Sequence, residues 1–119
     1  MLVRIIGVLG ALAVMLPSVG ARALQPALCH AEEYLHSIEG VTRIGVTIRN
    51  ERSRGNLKVF WLDYDGVRNS MGGVVIPPKG ERRIRSYATH PFVITDHSEN
   101  CLSVFVAEGA REHVVTIKR

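Results

Sequence analysis

A chain of 119 residues, 46% apolar and 22% charged, has room for a single folded domain. That composition excludes a disordered or low-complexity protein. The formal charge of +4 is carried in part by Arg4 and Arg22 near the start, so it gives no reason to expect nucleic acid as a partner.

The chain opens like an export signal. One positive charge lies in Met1 to Arg4, Ile5 to Leu16 is continuously apolar, and Ala21-Arg22-Ala23 offers small residues at the two positions a signal peptidase reads. The apolar run is shorter than the ~20 residues a spanning helix needs, and Pro17 interrupts it, so no stable membrane span is expected after cleavage. A bacterial lipoprotein signal would want a small residue before Cys29, where Leu28 stands. Residues 1–23 therefore read as a signal peptide, and the mature protein as secreted, either periplasmic or extracellular. Cys29 and Cys101 both fall in the mature chain, and in an exported protein they are expected to form a disulfide.

Residues 24–40 read as an N-terminal helical segment. In Ala31 to Ile38, Tyr34, Leu35 and Ile38 share one helical face and Gly40 stands where a helix would stop. At about two turns such a helix must pack on the body to persist. From residue 41 to the end the pattern is of short strands. Ile44, Val46 and Ile48 alternate with polar or small neighbours in Arg43 to Asn50, and Leu57 to Tyr64 is rich in β-branched and aromatic residues. Val67 to Gly73 reads as a flexible loop before a brief strand at Val74 to Ile76. Arg82 to Ala88, Phe92 to Asp96, Leu102 to Glu108 and His113 to Lys118 follow as strands. Asp65-Gly66, Pro77-Pro78-Lys79-Gly80 and Glu108-Gly109 supply turns. The fold class is all-β, an antiparallel β-sandwich of about seven short strands with one short N-terminal helix.

Few residues invite chemistry. His30, His36, His90, His97 and His113 form no H-x-H or H-x-x-x-H pair, and neither cysteine has zinc-type spacing, so no metal or cofactor is expected. There is no nucleophile elbow and no phosphate-cradling glycine motif. Asp63 and Asp65 share a strand face but stand before Gly66, where turn formation accounts for them. The chain reads as no enzyme.

One set of blocks says more. Trp61-Leu62-Asp63-Tyr64-Asp65-Gly66, Pro77-Pro78, Arg82-Arg83-Ile84-Arg85-Ser86-Tyr87, then His90 and an aromatic at Phe92, follow one another in order. This series closely resembles the β domain of the von Hippel–Lindau tumour suppressor family, over Arg43 to Lys118. The resemblance implies that residues 41–119 form that family's sandwich. It also implies a groove that binds a hydroxylated proline in an extended peptide, with Trp61, Ser86, His90 and Phe92 as its ligand-binding residues. Aromatic walls would hold the pyrrolidine ring, and Ser86 and His90 would pair its hydroxyl, which when buried alone costs about 1–3 kcal/mol. Phe92 stands where the family has a second Trp. The family's pocket Tyr has no counterpart among Asn69, Ser70 and Met71. The helical domain that recruits the family's ubiquitin-ligase adaptor is not matched, so no such adaptor is expected as a partner.

The reading is an exported binding module that takes an extended or proline-containing peptide, or a protein bearing one, in a groove beside Trp61. The alternative is a structural envelope or interaction protein with no ligand groove. A hydrolase pairing His90 with Asp63 or Asp65 is a third possibility.

Overall fold

The computed structural model describes residues 22–23 and 29–119. Of the expected leader, only Arg22 and Ala23 fall among them. Eight strands are described: β1 (Arg22–Ala23), β2 (Arg43–Asn50), β3 (Leu57–Leu62), β4 (Arg68–Ile76), β5 (Glu81–Tyr87), β6 (Pro91–Thr95), β7 (Cys101–Val106) and β8 (Glu112–Ile117). They form two four-stranded sheets, ordered β1-β8-β2-β5 and β4-β3-β6-β7. The second sheet is antiparallel throughout. The first is mixed, because β8 runs parallel to β2 and to β1.

Period-two alternation puts Ile44, Val46 and Ile48 of β2 inside, against Leu57 and Val59 of β3 and Phe92 and Ile94 of β6. Burying each such side chain contributes about 1.5–3 kcal/mol, which makes this the main cohesive contact between the sheets. At the far end of β2 the fully buried Asn50 ties them again, donating from its amide to the Gly55 and Ile76 carbonyls. The β4-β3-β6-β7 sheet is apolar on its outer face too: Phe60, Leu62, Val93 and Val104 form a second cluster, covered by Leu35 and Cys101.

That second cluster explains the course of the N-terminal segment. The helix expected over Ala31 to Ile38 is not formed. Cys29–Glu33 makes a 3₁₀ turn, and the chain then runs on as an irregular strap across the outer face. Tyr34 and Ile38, assigned to an apolar helical face, are 66% and 59% exposed. Two helical turns barely repay nucleation, whereas the strap finds partners on the sheet. The Ser37 backbone N–H donates to the Asp63 carbonyl at 2.9 Å. Glu32 meets the Arg68 guanidinium with two hydrogen bonds of 2.5 and 2.8 Å. Cys29 and Cys101 are joined as a disulfide, the pairing expected from the sequence.

The span expected to be a flexible loop, Val67 to Gly73, is mostly strand. Met71, Gly72 and Gly73 all have positive φ (53°, 81° and 93°) inside β4, and the pairing with β3 shifts register between Val59 and Trp61. A bulge of this kind uses the glycines for their backbone freedom rather than for a chain end.

Candidate functional site

Trp61 lies in β3, paired with Asn69 on one side and Phe92 on the other. Its ring is half-buried on the side of the main core. The turn after β5 brings His90 to it. The His90 N–H closes this turn on the Tyr87 carbonyl, and Thr89 is held at φ 74° within it. A β-branched residue seldom adopts that conformation, so the turn is fixed by its surroundings rather than by its own preference. The His90 imidazole then stacks on the Trp61 indole, with centroids 5.5 Å apart and planes 28° from parallel.

Two tyrosines complete an aromatic surface. Tyr64 stands nearly perpendicular to both Trp61 and His90, each at 5.7 Å, and Tyr87 lies 5.6 Å from His90. Tyr64 is 53% exposed and Tyr87 36%, so the cluster opens to solvent. Sequence reading passed over both. Each stands inside one of the blocks that carry the family resemblance, Tyr64 before Asp65-Gly66 and Tyr87 at the end of the Arg-rich strand.

The four residues singled out from sequence do not share one place. Trp61 and His90 come together. Phe92 is 1% exposed, stacked on Phe105 at 5.2 Å in the core, and so does not line the surface. Alternation explains it, since Phe92 and Ile94 both point inward. Ser86, half-buried opposite Ile44, lines a separate cleft on the β2-β5 side.

The strap builds one wall. Ser37, 2% exposed, accepts the Trp61 indole N–H at 2.6 Å and donates to the Leu62 carbonyl at 2.5 Å. The indole N–H is therefore already satisfied, leaving the ring face for contact. Further along, the Thr89 hydroxyl donates to the Ile38 carbonyl at 3.3 Å, and a Cβ at Gly40 would press on the Ala88 carbonyl at 2.7 Å. No local pattern flagged Ser37.

Polar chemistry at this surface rests with His90. It is 5% exposed, and its Nε2 has no hydrogen-bond partner among the described residues. Burial lowers its pKa from the ordinary 6.5, partly opposed by the Ile38 carbonyl, so the ring is neutral at pH 7. Asp63 is occupied elsewhere: its Oδ1 accepts the Asp65 and Val67 backbone N–H groups and shapes the turn.

The lowered pKa has a consequence for stability. The unfolded chain takes a proton on His90 before the folded one does, so this contribution is fully present above pH 6.5 and is lost as pH falls through the depressed folded value. Denaturation midpoints measured across that window should fall for the wild type. The slope should be shallower in His90→Phe, and identical slopes would refute it.

Among the described residues, no group of three or more His, Cys, Asp or Glu is placed to hold a metal, and no helix is long and apolar enough to cross a membrane. A search of curated proteins finds no match. The family model of the VHL beta domain matches residues 35–109, from within the strap to beyond β7 and over half of the chain. The chain thus belongs to the VHL β-domain family, whose domain is a protein-interaction module.

Proposed function

We propose that the chain is an exported binding module that holds an extended, proline-containing peptide against Trp61, Tyr64, Tyr87 and His90. The observation that carries this reading is the solvent-open pair Tyr64 and Tyr87 around the Trp61–His90 stack, with the buried Nε2 of His90 unpaired beneath them. A pyrrolidine ring gains contact on aromatic faces, and a hydroxyl on that ring would give Nε2 the partner it lacks. A neutral imidazole serves as donor or acceptor there according to its tautomer. The strained Thr89 beside it is the kind of feature that clusters at ligand sites.

The test is a peptide array probed with the protein, displaying each sequence with proline, with 4-hydroxyproline and with alanine. Binding should depend on the ring. Tyr64→Ala should abolish it, while His90→Phe keeps the stacking and weakens binding of the hydroxylated form about tenfold, the worth of one hydrogen bond. Binding indifferent to proline would leave the structural envelope reading in its place.

Export belongs to the same proposal, supported by the leader pattern and the disulfide. Cleavage after Ala23 would remove β1, which among the described residues pairs only with β8, and leave the core strands intact. Protein recovered from an exporting host should have the intact mass of a chain beginning at Leu24. A product still carrying Met1, or lipidated at Cys29, would contradict it.

A further inference from the structure

The outer face of the β1-β8-β2-β5 sheet carries a cleft of about 430 Å³ whose floor is Gly45. Across that floor lies the ion pair of Arg83 with Glu112, and a Cβ at Gly45 would collide with both of its charged groups. The pair is matched internally, and each partner shifts the other toward its charged form. Around it stand Arg43 of β2, Arg85 of β5 and Arg111 just before β8, all exposed. None of these three has an acidic partner among the ion pairs of the described residues. The cleft therefore carries an excess of three positive charges in forked, bidentate form, suited to carboxylates.

Tyr87 lines this cleft and also stands 5.6 Å from His90, so one side chain borders both the basic cleft and the aromatic surface. We infer that the cleft takes an acidic stretch of the same peptide ligand, with two or more carboxylates beside the residue seated on Trp61. This inference rests on the peptide-binding reading. The spacing favours a chain over a free ion: the three arginines come from three separate elements, and successive acidic side chains reach them where one small oxyanion would engage one or two.

Three labelled peptides of equal length test it: one with a glutamate run next to proline, one with each Glu replaced by Gln, and one with the acidic run but alanine for proline. Affinities are measured at low and physiological salt, on the wild type and on a variant with Arg43, Arg85 and Arg111 all changed to Ala. Each single Ala variant is measured as well, so that a misfolded triple variant leaves the result readable.

The acidic proline peptide should bind about tenfold more tightly than its Gln counterpart at low salt, as expected for three exposed ion pairs. Salt and the triple variant should each erase that advantage, and the Gln peptide should bind wild type and variant alike. Equal affinity of the Glu and Gln peptides would overturn the inference and leave the proline reading standing. Arginine-dependent binding of the alanine peptide at full strength would overturn both, because the acidic stretch would then bind without a proline seated on Trp61. No arginine-dependent binding of either acidic peptide would overturn the inference. So would displacement by sulfate well beyond chloride at equal ionic strength, which would assign the cleft to free oxyanions.

Discussion

Loss of the Cys29–Cys101 disulfide should lower the stability of the domain by about 4 kcal/mol, a large share of the usual 5–15 kcal/mol margin. The bridge separates its cysteines by 72 positions with Cα atoms 6.0 Å apart, so it removes a long loop's worth of freedom from the unfolded chain. It also fastens the strap over Phe60, Leu62, Val93 and Val104, whose exposure would follow its release. The Glu32–Arg68 pair and the Ser37 hydrogen bonds remain, so the strap should loosen more at Cys29 than at Ser37. Urea denaturation with and without reductant measures the effect, and Trp61, the single tryptophan, reports on the strap through its bond to Ser37. Thiol titration of the unfolded, unreduced protein should find no free thiol. A Cys29→Ser/Cys101→Ser variant within about 0.5 kcal/mol of wild type, the range of an ordinary surface change, would sink the claim.

Where alternation has one meaning, the strands were legible. β2 was expected over Arg43 to Asn50 and is found there, because one face meets the core and the other meets solvent. β6 defeats that logic: all five of its residues are buried, since the core covers one face and the outer cluster the other. Sequence therefore could not say which side Phe92 took, and the blocks that marked Trp61 and His90 as neighbours carried Phe92 along with them. β4 extends well before the Val74 to Ile76 that composition predicts, because three consecutive positive-φ residues look like a loop when their pairing is not in view. The parallel pairing of β8 with β2 leaves no local trace, as it depends on where the chain returns. The strap is the largest omission. Its residues suggest a helix by spacing, yet Leu35 and Ser37 are placed by what the sheet lacks, an apolar cover and an acceptor for the indole of Trp61.

Phe92→Ala should cost about 3–5 kcal/mol, the range for removing a buried aromatic ring. The ring is 1% exposed and stacked within 12° of parallel on Phe105, its cross-strand partner, so both the burial and the pairing are lost together. The surrounding residues, Ile44, Val46, Val59 and Ile94 among them, are held by strand pairing and can close the cavity only in part. Phe92→Leu should cost less, near 1 kcal/mol, and keeps the test readable if the Ala variant fails to fold. Tyr64→Ala is the counterpart. At 53% exposed, it should change stability by no more than about 0.5 kcal/mol while removing ligand contact. Urea denaturation followed by Trp61 fluorescence, beside array binding on the same samples, separates core from surface. A Phe92→Leu protein of nearly wild-type stability that no longer binds would return Phe92 to the ligand surface. A Phe92→Leu protein that is weakened yet binds normally places the ring where its packing on Phe105 says it belongs, beneath the site and not within it.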